Sequence, residues 1–340
     1  MTRNKINIIK LTLIIFLGVL LFVLNLFLGS VTIPFTELMD VIFKSRGDQT
    51  ISTIVYDYRL PQAITSLLAG AALSVSGLLM QTLFRNPLAD PSMLGISSGA
   101  GLGVALTILF TGILGGEALS SFGLWSDLGV SIAAFIGATL VLFIILGFSS
   151  RIKNMTTLII IGLMISYLSG SITDILKFFS LKEDIHAFVI WGMGTFSAVG
   201  TTKLTFFSVT IIIGLLLSLF LSKNLNILLL GDVYAENLGL NVKRNNFAII
   251  LISGYLTAIV TAYCGPIAFL GLAIPHLTRF IFKTSDHKLL TPATMLIGMV
   301  VSLLCNLIAR VPGFDGNLPI NAVTAFIGAP VVIWVILRKR

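Results

Sequence analysis

Long apolar runs alternate with short polar segments along the whole chain. A helix that crosses the roughly 30 Å hydrocarbon layer of a membrane needs about 20 mostly apolar residues, and these runs have that length. Lipid cannot satisfy exposed backbone amides, so the runs are expected to be helical. The pattern predicts an all-α integral membrane protein with about ten transmembrane helices, at residues 9–29, 61–84, 93–112, 128–148, 156–178, 203–222, 246–264, 266–283, 290–309 and 320–337.

Composition and charge agree with this class of protein. Hydrophobic residues make up 56% of the chain, charged residues 11%, and the mean hydropathy is +1.03. An even number of spans places both termini on one side of the membrane. In this topology 15 of the 22 Lys and Arg residues lie on the side of the termini and 7 on the other, so the positive-inside rule predicts that both termini are cytoplasmic. The net charge of +8 follows from this topology, and nucleic acid is not expected as a partner.

The segments between the predicted spans are too short to form a separate soluble domain. The longest are residues 30–60, 179–202 and 223–245, and none could bury a core of its own. The chain has no GxxxxGK[ST] phosphate-binding loop and no Gly-Lys pair. Any ATP that drives this protein must therefore bind to another chain.

Metal and redox chemistry also lack a pattern in the sequence. The three histidines, His186, His276 and His287, are not spaced with acids as metal ligands. Cys264 and Cys305 fall in or at the ends of spans, where a free thiol behaves as a small apolar residue.

The stretch LFRNPLADPSMLGISSGAG, from Leu83 to Gly101, is polar and irregular between two apolar runs. Pro87 and Pro91 remove backbone donors and restrict the residues before them, so the chain must turn here. Such a segment is either an ordinary cytoplasmic turn or the lining of a cavity, where irregular backbone is tolerated at membrane depth.

The glycines in and beside this stretch admit two interpretations. Gly99, Gly101 and Gly103 give the spacing GxGxG after a predicted helix, which does not fit a dinucleotide-binding loop. Small residues at helical spacing also occur in GAALSVSG, from Gly70 to Gly77, and allow close helix contacts in a membrane bundle. The sequence therefore predicts packing surfaces.

Several charged or polar residues near span ends have ordinary structural interpretations. Arg59 and Arg310 could be interfacial anchors. Asp174 and Lys177, three residues apart, could form an ion pair on one helix face. His276 follows Pro275 and could bond a carbonyl group that the proline leaves without a partner.

The segment LLLGDVYAENLGLNVKR interrupts the apolar pattern between spans six and seven. Tyr234, Ala235, Leu238 and Leu240 could form one apolar face on a short helix, and Gly239 would end that helix. On residue chemistry alone, such a helix could also be a simple solvated connection.

Four stretches carry a resemblance to a known family. They are WGMG at Trp191 to Gly194, YRLPQAITSLLAGAALSVSGLLMQTLFRNPLADPSMLGISSGAG, GDVYAENLGLNVKRNNFAIILISGYLTAIVTAYCGPIAFLGLAIPHLTRF, and LPINAVTAFIGAPVVIWVI. Together they resemble the permease family of ABC importers for iron-siderophore complexes, haem and cobalamin, over nearly the whole chain. That family works as a permease dimer that carries two cytoplasmic ATPases and receives substrate from an external binding protein.

The resemblance also assigns roles to residues. Arg59 and Arg310 match positions that meet acidic residues of the binding protein, although many relatives have a second arginine where this chain has Gln62. The positions that narrow the cytoplasmic exit are matched by Asn86, Leu88, Met155 and Thr156. The coupling segment that docks into a groove on the ATPase is matched by Asp232, Tyr234, Ala235, Glu236, Leu238, Gly239 and Leu240.

The resemblance implies that residues 1–340 form a single transmembrane permease domain, with 223–245 as its cytoplasmic coupling segment. The chain is then a non-catalytic subunit of the bacterial cytoplasmic (inner) membrane that moves a metal chelate by alternating access. Iron-siderophore is the first expectation, with cobalamin and haem as alternatives. No cofactor is expected on this chain, since ATP and Mg belong to the partner ATPase, and the second permease copy is the same chain or a paralogue.

Two other classes of function fit the sequence less well. An ATP-independent secondary transporter would need buried acids as ion sites, and the spans are poor in acids, with Asp174 as the main exception. A membrane enzyme would need a convergent catalytic set, which the sequence lacks.

Overall fold

The computed structural model describes residues 3–29, 34, 37, 49–113, 127–152, 154–310 and 317–338, and within these ranges the regular structure is all helical. The α-helices are α1 (Arg3–Phe27), α2 (Gln49–Thr53), α3 (Leu60–Leu83), α4 (Ile96–Ile113), α5 (Asp127–Arg151), α6 (Met155–Phe179), α7 (Lys182–Gly192), α8 (Thr201–Phe220), α9 (Ser222–Leu228), α10 (Asp232–Asn237), α11 (Val242–Cys264), α12 (Leu270–Phe282), α13 (His287–Ala309) and α14 (Ile320–Arg338). A π-helical turn (Ile54–Arg59) joins α2 to α3, and a 3-10 helix (Pro91–Leu94) precedes α4.

The predicted all-α membrane fold is confirmed. Among the described residues, seven helical segments are long and apolar enough to cross a membrane, and three shorter apolar helices occupy the positions of predicted spans three, eight and ten. The structure therefore has a helix at each of the ten predicted positions. The helices α2, α7, α9 and α10 lie in segments that were predicted to connect spans.

The predicted span 266–283 is wrong in its first part. Helix α12 has 13 residues, about 20 Å, and cannot cross a membrane alone. The chain from Gly265 to Ala268 is not helical, because Pro266 lacks a backbone donor and Gly265 has φ +74°. Neighbouring segments bond the backbone in and beside it: the Ala268 N–H donates to Asn321 Oδ1 at 3.1 Å, and the Thr195 N–H donates to the Cys264 carbonyl, at the end of α11, at 2.8 Å.

Helix α3 forms the centre of the bundle, and nearly all of its residues are buried. It packs against α11, α12 and α13, and its glycines allow the closest approaches. A Cβ atom added at Gly77 would collide with the backbone of Gly271 on α12, and one at Gly70 would collide with the carbonyl oxygen of Gly298 on α13. The prediction that these glycines are packing surfaces is confirmed.

Helices α4 and α5 pair in the same way. A Cβ atom at Gly99 would lie 2.6 Å from the Gly137 carbonyl oxygen, and one at Gly103 would collide with the Ala133 carbonyl oxygen. Gly101 faces Trp191 at an ordinary contact distance of 3.9 Å. Two of the three glycines that resembled a nucleotide loop are therefore helix contacts.

The bundle has two ends, and the contacts at each end agree with the predicted alternation of spans. At the predicted inner end, Lys10 Nζ donates to the Ile281 carbonyl at 2.6 Å. At the predicted outer end, Arg59 lies against the last turn of α1. That the first of these ends is cytoplasmic stays a prediction. Five cations used in the charge count lie outside the described residues: Lys44, Arg46, Lys153, Lys339 and Arg340.

Replacement of Gly77 by alanine is expected to lower the thermal stability of the purified protein. The new methyl group would meet the backbone of α12, and overpacking of this kind costs about 1–3 kcal/mol. Gly147 on α5 is a matched control, because nothing lies within 4 Å of a Cβ atom placed there. Gly147→Ala should leave the melting temperature unchanged or raise it. Equal melting temperatures for the two variants would contradict the close packing at Gly77.

Candidate functional site

The predicted coupling segment contains a short, well-capped helix. Helix α10 follows Gly231, whose φ is +103°, and ends at Gly239, whose φ is +84°. The Gly239 N–H donates to the Glu236 carbonyl at 2.9 Å, and the Leu240 N–H donates to the Ala235 carbonyl at 3.0 Å. These two bonds form a Schellman motif, which needs a left-handed residue at the position of Gly239. The prediction that Gly239 ends this helix is confirmed.

The apolar residues of α10 do not share one face, which corrects the sequence interpretation. Ala235 is buried against the bundle and Leu240 is half-buried, whereas Tyr234 and Leu238 are 68% and 62% exposed. Val233 is also exposed, at 72%. The difference arises because the bundle covers only the side of this short helix that faces it. The side that faces away from the bundle presents three large apolar side chains beside the exposed Asp232 and Glu236.

The first predicted gate segment is a loop with internal hydrogen bonds. Asn86 Oδ1 accepts from the Leu88 N–H at 2.9 Å, and the Asn86 carbonyl accepts from the Ala89 N–H at 3.1 Å. His276 Nε2 lies 2.6 Å from the Pro87 carbonyl oxygen. His276 therefore contacts a carbonyl group as predicted, although that group belongs to this loop and not to its own helix.

Asp90 holds the far end of the loop. Its Oδ1 accepts from the Ser92 N–H at 2.9 Å and from Ser92 Oγ at 2.6 Å, which caps the 3-10 helix. Asp90 Oδ2 lies 2.5 Å from the position of a Cβ atom on Gly271.

The position of Gly271 shows how deep this loop lies. Gly271 packs on Gly77, which is six residues before Leu83 at the end of α3. Six helical residues span about 9 Å, so the loop turns back into the bundle by about that depth. A polar segment at this depth is tolerated because protein surrounds it, as in the cavity-lining interpretation of the sequence.

The second predicted gate segment begins helix α6. Asn154 caps this helix by accepting from the Thr156 N–H at 2.9 Å. Met155 is half-buried and Thr156 is exposed. The two gate segments are joined deeper in the bundle, where a Cβ atom on Gly95 would lie 2.9 Å from the Gly162 carbonyl oxygen. The gate roles of Asn86, Leu88, Met155 and Thr156 stay predictions.

A polar network beside the loop was missed by sequence reasoning. Arg279 Nη1 donates to Gln81 Oε1 at 2.6 Å, and Gln81 Nε2 donates to the Leu272 carbonyl at 3.2 Å. Gln81 thereby ties α3 to the start of α12. The only signal in the sequence was a polar residue inside an apolar run.

A charged contact between the predicted gate loop, residues 85–90, and the predicted coupling helix α10 was also missed. Arg85 Nη2 donates to Asp232 Oδ1 in an exposed ion pair. The two residues are far apart in the chain, and each has an ordinary solvated interpretation. Nothing in the sequence indicated the pairing.

The two predicted docking arginines converge at the end of α1. Arg59 Nη1 donates to the Leu26 and Phe27 carbonyls at 2.8 and 2.7 Å, and Arg310 Nη1 donates to the Asn25 carbonyl at 3.3 Å. Both side chains are buried. They satisfy carbonyl groups that a helix end leaves without intrahelical partners. The loop VPGFDGN beside Arg310 lies outside the described residues except for Asn317.

Gln62 belongs to a buried row of hydrogen-bonded amides. Gln62 Nε2 donates to Asn306 Oδ1 at 3.1 Å, and Asn306 Nδ2 donates to Asn25 Oδ1 at 2.8 Å. These hydrogen-bonded amides join α1, α3 and α13 beside the two arginines.

The remaining candidate groups are structural. Lys177 Nζ lies 3.1 Å from Asp174 Oδ1, so the predicted ion pair is confirmed. Cys264 and Cys305 are buried free thiols. Across the described ranges there is no group of three His, Cys, Asp or Glu side chains that could hold a metal ion.

Comparison with known proteins decides the family. The model of the FecCD transport family matches residues 15–338. The chain belongs to the FecCD transport family.

Relatives within the FecCD family share much of the sequence. The vitamin B12 import system permease protein BtuC of Klebsiella pneumoniae subsp. pneumoniae is 37% identical over 287 residues, which cover 84% of this chain and 83% of that protein. BtuC of Escherichia coli O9:H4 is 34% identical over 298 residues, which cover 88% and 86% of the two chains.

A solved structure shows the same fold. It is described as an inward-facing conformation of a metal-chelate type ABC transporter, and it is 31% identical, with a TM-score of 0.84 over 97% of this chain and 99% of its own. This FecCD-family chain is thus a multi-pass membrane protein and a permease of an ABC importer.

Arg59→Ala is expected to destabilise this FecCD-family permease, because the last carbonyls of α1 would lose a charged donor. Loss of such a buried partner costs about 1–3 kcal/mol. Arg59→Lys should be intermediate, since an ammonium group cannot reproduce the guanidinium fork. Thermal unfolding of the purified protein measures the effect, with the exposed Arg244→Ala as the control. If both alanine variants melt together, Arg59 does not cap α1.

Proposed function

We propose that this FecCD-family permease moves a metal chelate across the bacterial cytoplasmic membrane, from an external binding protein, in a complex driven by two cytoplasmic ATPases. The observation that carries the proposal is the exposed apolar side of α10 at the predicted inner end of the ten-helix bundle. The bundle does not cover that side. ATP and Mg would be used by the ATPases, and this chain would make and break no bond.

The exposed side of α10 suits a protein partner. Val233, Tyr234 and Leu238 are large apolar groups flanked by Asp232 and Glu236. An amphipathic helix that docks in a groove uses such a combination of apolar anchors and polar rim. The Schellman motif at Gly239 fixes the end of the helix, so a push from the ATPase would be transmitted without unwinding it.

A second permease copy would complete the pathway. Helix α6 leaves large apolar side chains uncovered, including Tyr167, Leu168, Ile175 and Phe178. The same helix carries the predicted gate residues Met155 and Thr156 at its start. A passage between two copies, walled by α6 and the loop after α3, fits a wide substrate better than a tight coordination cage.

The two outer arginines would dock the binding protein. Arg59 and Arg310 both approach Gly29, so their charges are concentrated at one place on each copy. Two copies would present two basic sites to a partner with two acidic ones, which favours fast and oriented encounter. The variant Arg59→Lys keeps the charge and weakens the cap, so binding-protein affinity should be retained even where stability falls.

The chelate is proposed from the relatives. The two BtuC proteins are named for vitamin B12 import, and the solved structure for a metal chelate. Cobalamin is therefore the first chelate to test, ahead of the iron-siderophore that the sequence interpretation preferred. Haem is the third.

Reconstitution tests this function directly. Proteoliposomes that contain the chain and its ATPase should take up one chelate class when its loaded binding protein is added outside, and uptake should require ATP. Cyanocobalamin, a ferric siderophore and haem are compared in parallel. If none stimulates ATP hydrolysis and the ATPase does not bind, the importer function is wrong. Uptake that follows a proton or sodium gradient without ATP would support a secondary transporter instead.

Leu238→Asp is expected to weaken ATPase binding, because a carboxylate would be buried in an apolar groove. Truncation of a central interface residue typically costs about 2–4 kcal/mol, or about 30-fold or more in affinity. Co-purification of the detergent-solubilised complex measures the effect, and Tyr234→Ala should act in the same direction. Phe206→Ala is the control, since Phe206 is 61% exposed near the start of α8, at the opposite end of the bundle. Equal ATPase recovery for Leu238→Asp and Phe206→Ala would argue against docking through α10.

A further inference from the structure

The gate loop and the coupling helix are in direct contact. Arg85 is the second residue after the end of α3, and Asp232 is the first residue of α10. Arg85 Nη2 donates to Asp232 Oδ1. Each side chain is about half exposed, at 51% and 57%. An exposed pair of this kind contributes little to folding stability, so stability does not account for it.

The backbone of Arg85 gives a second observation. Its φ is +47°, in the left-handed region that disfavours residues with a Cβ atom. Glycine usually occupies this position after a helix end. The chain has an arginine there, and its side chain reaches the coupling helix. Local strain of this kind is retained where the surrounding structure uses the residue.

A second connection runs between the same two regions. Thr82, in the last turn of α3, lies 3.0 Å from His287 Nε2, and His287 Nδ1 lies 2.9 Å from Asn226 Oδ1. Asn226 belongs to α9, which leads into α10, and its Nδ2 donates to Asp286 Oδ1 at 2.6 Å. These bonds fix α9 relative to α3. They hold the segment that leads to Asp232 beside the end of α3.

Arg85 lies at the start of the gate loop, residues 85–90. Asn86 follows directly, and Leu88 is bonded to Asn86 Oδ1. The middle of the loop is held by His276 at Pro87, and its far end is held by Asp90 near Gly271. The ion pair is therefore the attachment of the near end of the loop to the coupling helix, while the far end is fixed to α12.

We propose that the Arg85–Asp232 ion pair is the joint through which displacement of α10 moves the gate loop. The inference rests on the proposed function, because it needs an ATPase to displace α10. Arg85 and Asp232 are then positioning residues for the gate. They would contact neither substrate nor nucleotide.

A charge exchange tests the joint in the full complex. The reporter is Leu88→Cys, labelled by a bulky maleimide in the permease–ATPase complex, with and without ATP trapped by vanadate. When Arg85 and Asp232 are both unsubstituted, the extent of labelling at Leu88→Cys should change when nucleotide is bound. Arg85→Asp and Asp232→Arg should each reduce that change about fivefold to tenfold, since like charges then face each other. The double variant Arg85→Asp with Asp232→Arg should recover most of it.

The control exchanges the charges of another ion pair. The double variant Asp174→Lys with Lys177→Asp, near the C-terminal end of α6 and away from α10, should leave the nucleotide response unchanged. If the single variants at Arg85 and Asp232 respond to nucleotide as fully as the unsubstituted complex, the joint is wrong. Loss in both single variants without recovery in the double variant also overturns it, because the residues then act separately.

Arg85→Gly separates transmission from folding. Glycine relieves the left-handed strain and removes the charge, so thermal stability should be retained or raised while the nucleotide response is lost. Lower stability together with a full nucleotide response would show that Arg85 is structural and overturn the proposal. Failure of the ATPase to bind the unsubstituted chain would overturn the proposed function, and this inference with it. If the permease–ATPase complex forms normally but the Arg85 and Asp232 variants do not alter the nucleotide response of Leu88→Cys labelling, the inference alone is overturned.

Discussion

Close backbone contact between α3 and its neighbours is the constraint on which the rest of the structure depends. In a bilayer the hydrophobic effect does not drive helices together, because lipid is as apolar as the side chains, so association depends on fitted contact. Gly70 and Gly77 let α13 and α12 approach until backbone atoms touch. Since Gly271 lies in that contact, the same packing fixes the start of α12 and the depth at which the loop after α3 can return into the bundle.

The polar groups of the bundle follow from this arrangement. The irregular chain from Gly265 to Ala268 and the loop after α3 both lie between helices, where buried backbone groups need partners. Asn321 and His276 supply partners for these segments. Each is a polar residue within an apolar run, and its function is to bond the irregular backbone of another segment. The same logic applies at the predicted outer end, where Arg59 and Arg310 bond the last carbonyls of α1.

Charge has different effects at the two ends. The arginines at the predicted outer end are buried in the chain that they stabilise, so a docking function would share them with a structural one. At the predicted inner end the pair of Arg85 and Asp232 is exposed, and the apolar side of α10 lies beside it. A partner that grips this helix would therefore contact a segment already attached to the loop.

The helical class, the positions of the ten apolar segments and the family could all be predicted from the chain, because hydropathy and motif spacing are local properties. The end of α10 at Gly239 and the ion pair of Asp174 with Lys177 were predictable for the same reason. The break before α12, the outward orientation of Tyr234 and the contacts of Gln81 and His287 were not. These features depend on which residues from distant segments meet, and helix packing fixes those meetings. Arg85 and Asp232 are 147 positions apart, and only the folded bundle places them together.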